Sequence, residues 1–171
     1  MTSIVRPAIK DVQLLSDLSR VSFIESHGSS AAPEVINKYI DEKFNPDVLK
    51  EELGNPQNIY HVIYYENEPA GFSKIILNSQ HAGIEAKNVT KLERLYLLKE
   101  FYGLRLGFDL LQFNIGISRD NNQTGMWLYV WKENARAINF YKKNGFDSIG
   151  SYDFMLTASH SNPNYHMFLE Y

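Results

Sequence analysis

The sequence predicts an α/β fold in which helices are interleaved among the strands of a mixed sheet. Short apolar runs rich in β-branched and aromatic residues alternate with longer stretches whose apolar residues recur at helical spacing. In chain order the segments described below give the pattern βαααβββαβαββ. A chain of 171 residues is long enough to bury a core, so we expect a single domain over residues 1–171.

The composition excludes several classes of protein. With 44% hydrophobic and 13% aromatic residues, the chain is neither disordered nor fibrous. It has no cysteine, which excludes disulfides, thiolate metal ligands and a covalent intermediate on cysteine, and we expect no metal. A net charge of −3 argues against a nucleic-acid partner. We find no apolar run of membrane-spanning length and no signal-peptide core, and therefore expect a cytoplasmic protein without a membrane partner.

The N-terminal third is predicted to be helical after one strand. The strand covers Ser3–Pro7, and apolar spacing then predicts helices over Lys10–Ser26, from Pro33 through Ile40, and over Asp47–Leu53. This region is acidic, because Glu25–Glu52 contains seven acids and three lysines, a local charge of −4. Such a surface suits a cationic ligand, although charged residues that only solvate helix faces remain an equal alternative.

Two strands and a loop follow. Asn58–Tyr65 and Ala70–Leu77 have strand composition, and residues 66–69 between them have turn composition. Asn78–Lys87 is predicted to be a loop. Its histidine, His81, is expected to face solvent.

Lys91–Leu111 is the stretch with the clearest chemistry. It begins as a strand, turns through residues 100–103 and enters a helix predicted over Leu104 to about Asp120. The free N–H groups and the dipole of a helix start favour phosphate, and glycine lets main chain approach a ligand closely. A strand–turn–helix with incidental glycines remains the alternative.

The C-terminal part repeats a strand–helix arrangement and closes with a hairpin. Met126–Trp131 is a predicted strand with Trp127, Tyr129 and Trp131 on one face, which we interpret as core or cleft wall. Asn134 is a plausible N-cap for the next helix, and Asn144-Gly145 a stop. The closing hairpin is expected to consist of Phe146–Phe154, a loop over Thr157–Asn164, and Tyr165–Tyr171.

Two motifs resemble those of the GCN5-related N-acetyltransferases. The first is Tyr102-Gly103-Leu104-Arg105-Leu106-Gly107, similar to the family's Gln/Arg-x-x-Gly-x-Gly/Ala, with Tyr102 in place of Gln or Arg and Arg105 in place of Gly. The second lies in residues 126–146 and shares these residues with the family: Asn134, Ala137, Phe140, Tyr141, Gly145 and Phe146.

The resemblance implies a fold and a cosubstrate. The fold would be a mixed sheet of six to seven strands, splayed between its two central strands, with helices on both faces. Acetyl-CoA would bind with its pantetheine along the strand end and its pyrophosphate at the turn. The implied cofactor-binding residues are Leu95, Tyr96, Leu97, Tyr102, Gly103, Leu104, Arg105, Leu106, Gly107, Asn134 and Lys143.

The resemblance also places two catalytic residues. Glu93 would be the general base that deprotonates an amine, and by strand alternation it shares a face with Leu95 and Leu97, whose apolar surroundings would make it a stronger base. A glutamate paired with a nearby lysine or arginine is the alternative. Tyr141 would protonate the departing thiolate, the alternative being a core tyrosine.

The acceptor is the least determined part of the prediction. The two motifs after an acidic helical region look most like bacterial polyamine N-acetyltransferases, although Arg94 stands where animal polyamine enzymes have a second acid. Protein N-terminal, lysine or other small-amine acetylation, and a non-catalytic acyl-CoA sensor, are the alternatives. A homodimer is possible, since family members often pair. The candidate acceptor contacts are Phe23, Glu25, His27, Tyr39 and Phe44, each with packing as its alternative.

Overall fold

The structure, a computed structural model, describes all 171 residues, which divide into two compact units. The first unit comprises Met1–Ile75 and Arg94–Asn114, and the second comprises Ile76–Glu93 and Ile115–Tyr171. None of the helices combines the length and apolar character needed to cross a membrane.

Seven strands and five α-helices make up the chain. The strands are β1 (Thr2–Val5), β2 (Asn58–Tyr65), β3 (Glu68–Ile76), β4 (Val89–Leu97), β5 (Gly125–Trp131), β6 (Asp147–Thr157) and β7 (His160–Glu170). The helices are α1 (Val12–His27), α2 (Pro33–Lys43), α3 (Pro46–Gly54), α4 (Leu106–Asp120) and α5 (Ala135–Lys143). Short 3₁₀ turns precede α1 and follow β4. The strands form one mixed sheet in the order β1-β2-β3-β4-β5-β7-β6.

The core of the first unit forms where apolar helix positions meet apolar strand positions. Leu15 and Leu18 of α1 and Leu49 of α3 pack with Tyr60 of β2 and Phe72 of β3. A second cluster contains residues of α4, of two strands and of the 3₁₀ turn after β4: Ile63, Ala70, Phe101, Leu106 and Leu110. Burial of such side chains stabilises the fold by roughly 1.5–3 kcal/mol each.

Parallel and antiparallel ladders meet in the second unit. β4 and β5 are parallel, and their ladder pairs Val89 with Gly125 and ends at Lys91 with Trp127, whereas β4 continues to Leu97. The predicted splaying of the two central strands requires a ladder as short as this one. β7 lies antiparallel to both β5 and β6.

Most predicted elements are present, but several boundaries were wrong. β4 begins at Val89 rather than near Lys91, and α4 begins at Leu106 rather than Leu104, because Arg105 has a left-handed φ of 62°. The predicted loop Thr157–Asn164 is largely strand, and only residues 158–159 separate β6 from β7.

Candidate active site

The turn between β4 and α4 has the conformation of a Gly-rich turn with only one glycine in it. Gly103 has φ 83° and Arg105 has φ 62°. Leu106 is buried, while Gly103, Leu104 and Arg105 are exposed. The carbonyl of Arg105 accepts the first helical hydrogen bond, from Asp109 N at 3.0 Å. The N–H groups that start α4 therefore follow an exposed loop, as an anion site requires.

Arg105 carries the charge of this turn. Its guanidinium carbon lies 4.8 Å from the ring centroid of Phe108, one turn into α4. Tyr102 is partly buried and begins the turn with extended backbone (φ −69°, ψ 150°). Both departures from the family motif thus lie in the loop itself, and Gly107 lies inside the first turn of α4.

The side chains of Leu95, Tyr96 and Leu97 are occupied by packing in the first unit. Leu95 and Leu97 pack against the cluster that contains Leu106 of α4. Tyr96 packs instead with the α1 cluster, and its ring lies 6.4 Å from that of Phe23. Contacts from this strand end to a cosubstrate would therefore come from its backbone.

Glu93 does not share the environment of Leu95 and Leu97, so the alternation predicted for β4 was wrong here. Glu93 Oε1 lies 3.4 Å from Lys91 Nζ, and Lys91 lies over rings of β5. Thr90 forms a hydrogen bond with Ser118 of α4, and Leu95, five residues later, packs against the cluster to which α4 contributes Leu106 and Leu110. A regular strand would place them on opposite faces, so the alternation is interrupted between them. This ion pair matches the alternative interpretation of Glu93, a glutamate paired with a nearby lysine or arginine.

The helix α5 holds the second predicted catalytic residue. Asn134 caps it, because its Oδ1 accepts the N–H of Ala137 at 3.1 Å, as predicted. Tyr141 is buried, with its ring 5.5 Å from that of Phe146. Burial raises the pKa of Tyr141 further than Arg136 lowers it, so the phenol stays protonated at neutral pH. Lys143 is exposed at the end of the helix.

The proposed acceptor residues of the N-terminal third lie in the first unit, and three of them are core. Phe23, Tyr39 and Phe44 are buried and contact one another, with Phe23 and Tyr39 stacked at 4.9 Å. His27 stacks on Phe23 at 4.8 Å, and burial lowers its pKa to about 4. Glu25 accepts a hydrogen bond from the backbone N–H of Lys99 at 2.8 Å.

A charged cluster in the first unit was not predicted. Glu52 Oε2 lies 3.0 Å from Lys74 Nζ and 3.1 Å from Arg94 Nη1, and it also accepts a hydrogen bond from Tyr60. Burial raises the pKa of Glu52, but Arg94, Tyr60 and Lys74 together outweigh burial and lower it. The sequence feature that could have indicated this cluster is Lys74, a single charged residue in an otherwise apolar strand.

A group of five rings in the second unit was also missed; we refer to it as the aromatic–histidine cluster. Its members are His81, Trp127, Tyr129, Tyr152 and His166. His81 does not face solvent as predicted, because its Nε2 lies 2.8 Å from the Tyr129 hydroxyl and its ring 4.0 Å from that of His166. The alternation of Trp127 and Tyr129 was the available signal, but the loop and β7 partners are distant in sequence.

The predicted site residues are therefore divided between the units. The strand end, the phosphate turn and the N-terminal candidates belong to the first unit. Glu93, Asn134, Tyr141 and Lys143 belong to the second.

Known proteins resemble this chain over most of its length. The profile of the acetyltransferase (GNAT) family matches residues 17–146. An uncharacterized N-acetyltransferase in the pepI 3′ region of Lactobacillus delbrueckii subsp. lactis is 29% identical over 153 residues, covering 90% of this chain and 88% of that protein. A spermidine N(1)-acetyltransferase of Thermoplasma acidophilum is 26% identical over 156 residues, covering 87% and 91%.

The fold has a counterpart among solved structures. The crystal structure of the PaiA N-acetyltransferase from Thermoplasma acidophilum in complex with coenzyme A superposes with a TM-score of 0.80 at 23% identity. The match covers 100% of this chain and 99% of that one. The seven-stranded sheet and five helices described above are thus those of a known architecture.

Proposed function

Because this chain belongs to the acetyltransferase (GNAT) family and is an acetyl-CoA-dependent N-acetyltransferase, we propose that it acetylates a primary amine, with a polyamine such as spermidine as the preferred acceptor. The observation that carries the proposal is the contact between Glu93 and the ammonium group of Lys91, at 3.4 Å. This contact supports the proposal, because it places a primary ammonium beside the carboxylate. The relative described as a spermidine N(1)-acetyltransferase supports the polyamine.

Glu93 is the proposed base. An amine of pKa about 10.4 must lose a proton before it attacks, which costs about 4–5 kcal/mol at pH 7. A carboxylate that holds the ammonium can take that proton directly or through water. The neutral nitrogen then forms its bond to the thioester carbon as the C–S bond breaks, and no cysteine is available for a covalent intermediate.

Tyr141 is the proposed acid. Its hydroxyl gives a proton to the departing thiolate, which completes the balance of the transfer. Its burial and raised pKa support this role, since a phenol that stays protonated remains a donor.

The cosubstrate is proposed to bind along the residues that the motifs identify. Acetyl-CoA supplies the acetyl thioester. The backbone of Leu95–Leu97 would pair with its pantetheine, and Tyr102–Gly107 would bind its pyrophosphate through the N–H groups of the α4 start and Arg105. Asn134 and Lys143 would complete the set. The exposed, left-handed turn before α4 supports this assignment.

A specific observation favours a second candidate, an acceptor with a single amine. Arg94 follows Glu93 in the sequence, and Arg94 and Lys74 bind the carboxylate of Glu52. An acid bound in this way is less available for a second ammonium group of a polyamine. A small monoamine, or the amine of a protein N-terminus or lysine, is therefore the alternative acceptor.

Release of free thiol from acetyl-CoA across an amine panel tests the proposal. We expect thiol release with spermidine. Glu93→Gln should lower the turnover rate, and the decrease should be greatest at low pH, where the acceptor is fully protonated. Glu85→Gln, an exposed loop change, is the matched control. Activity on monoamines or peptides but not on polyamines would support the second candidate. Cosubstrate binding without thiol release on any amine would indicate a sensor and contradict the proposal.

A further inference from the structure

The aromatic–histidine cluster of the second unit already contains a primary ammonium at its edge. Lys91 Nζ lies 5.2 Å from the ring centroid of Trp127 and 5.8 Å from that of Tyr129. The same ammonium lies 3.4 Å from Glu93 Oε1. Aromatic faces and a carboxylate are the groups that recognise an organic cation. The protein thus has a cation site filled by its own side chain.

Polar atoms without partners lie on the same sheet face. His166 pairs with Tyr129 across β7 and β5, and Asn164 lies two residues earlier in β7, so both side chains share the face of Tyr129. His166 is 4% exposed and Asn164 is 7% exposed. His166 Nε2 and Asn164 Oδ1 are buried without a hydrogen-bond partner. Two such atoms are costly unless a ligand pairs with them.

Lys91 and His166 lie against the same two aromatic rings. The ring of His166 lies 5.3 Å from that of Trp127 and 5.2 Å from that of Tyr129, the two rings over which Lys91 lies. Burial and then His81 lower the pKa of His166 to about 4, so its ring is neutral at pH 7 and can accept a hydrogen bond.

We propose that the faces of Trp127 and Tyr129, with His166 and Asn164 beyond them, bind the primary ammonium of the acceptor, and that Lys91 occupies this place until the acceptor displaces it. The ligand class is a small primary alkylammonium. The inference rests on the proposed acetyl transfer to an amine and assigns the residues that select the acceptor. The ammonium group of Lys91 then competes with the acceptor for the same site, so removal of this group should strengthen acceptor binding.

Amine binding can be followed by the fluorescence of Trp127 and Trp131, the only two tryptophans. The full-length protein is saturated with coenzyme A, so no transfer occurs, and is titrated at pH 7.5 with spermidine, propylamine or benzylamine. Lys91→Met should lower the Kd by about 3- to 10-fold, the range of a cation–π contact plus a partly exposed ion pair. His166→Leu should raise the Kd about 5- to 10-fold through loss of one hydrogen bond.

Lys132→Met is the matched control, because Lys132 also lies over an aromatic ring, that of Tyr165 at 5.0 Å. Its Kd should equal that of the wild type. An unchanged or weaker affinity in Lys91→Met, or no saturable signal with any of the three amines, would overturn the inference, and neither result depends on whether His166→Leu folds. Thiol release with a wild-type KM in Lys91→Met would leave the proposed function intact and refute the subsite. Tighter amine binding in Lys91→Met without thiol release would support the subsite and contradict the proposed function.

Discussion

Arg105 occupies a backbone conformation that usually favours glycine, at the position where the family motif has glycine. A left-handed φ of 62° costs a residue with a Cβ roughly 1–2 kcal/mol relative to the right-handed region. Such strain persists where the surrounding structure enforces it, often at binding sites. The motif predicted the turn correctly, whereas the substitution gives the turn a positive charge that a glycine could not supply.

We predict that Arg105→Gln raises the KM for acetyl-CoA about fivefold at low ionic strength, because an exposed charge contact to phosphate contributes roughly 1 kcal/mol. The increase should shrink in high salt, which screens exposed charges. Steady-state kinetics at two salt concentrations measures both effects. Arg119→Gln, near the opposite end of α4, is the control, and an Arg105→Gln variant with the same KM as this control would contradict the role.

Single residues were predicted best where a motif fixed their place, and worst where distant segments meet. Asn134 was predicted as a cap from its local sequence and is one. His81 was misplaced because its partners, Tyr129 and His166, come from β5 and β7. Glu93 was assigned to the wrong face because the irregularity in β4 leaves no mark in the sequence.

At the scale of elements, α5 depends on its cap. The helix has nine residues, too few to be stable alone, and Asn134 supplies one of its N-terminal hydrogen-bond acceptors. Asn134→Ala should therefore lower the free energy of unfolding by about 1 kcal/mol. Urea denaturation measures the change. Asn139→Ala, an exposed position within the same helix, should not destabilise the protein, and equal losses in both variants would exclude a capping effect.

β3 approaches β4 closely at Gly71. A Cβ there would overlap the carbonyl oxygen of Tyr96 and lie 2.5 Å from Leu97 Cδ2, so either the sheet or the side chain must shift. Gly71→Ala should lower the free energy of unfolding by about 1–3 kcal/mol, the usual cost of overpacking. A Cβ at Gly116 in α4 meets nothing within 4 Å, so Gly116→Ala should stabilise by up to about 1 kcal/mol. Thermal unfolding of the two variants measures both changes in stability. A change in the same direction in both variants would refute the argument.

The closing hairpin explains why one element was mispredicted. Residues 157–164 contain serine, asparagine and proline, a composition typical of loops. Pro163 is tolerated in β7 because the register with β5 ends at Asn164, and on that side only the Pro163 carbonyl is used, as acceptor of a hydrogen bond from Lys132 N at 2.9 Å. Composition cannot reveal which edge of a strand lacks a neighbour, whereas the turn at residues 66–67, with φ 50° and 70°, follows from local chemistry.

For the whole molecule, the order of strands and helices was predictable and their pairing was not. Hydrophobic periodicity distinguishes helices from strands, and the fold class follows from the order of these elements along the chain. The charged cluster around Glu52 and the aromatic–histidine cluster depend on contacts between elements far apart in the chain. These are the features from which acceptor choice is argued, so the acceptor was the least predictable property.

Buried histidines couple the stability of the whole molecule to pH. Burial lowers the pKa of His27 to about 4. Burial and then Arg6 lower the pKa of His61 to about 4, and burial and then His81 lower that of His166 to about 4. In the unfolded chain these groups return to about 6.5. Between pH 6.5 and 4 the unfolded state therefore binds more protons than the folded state, and stability falls as the pH falls.

The free energy of unfolding should be constant above pH 6.5 and drop by about 2 kcal/mol per buried histidine at pH 5. His61→Gln and His166→Gln should each reduce the difference between pH 7.5 and pH 5 by about that amount, even if they lower stability at both pH values, because the charged form no longer exists at that position. Urea denaturation of the wild type and both variants at the two pH values measures the differences. If His61→Gln kept the full pH dependence of the wild type, burial of a neutral imidazole at His61 would not be what couples stability to pH, and acid sensitivity would have to come from carboxylates that are paired in the folded state, such as Glu52.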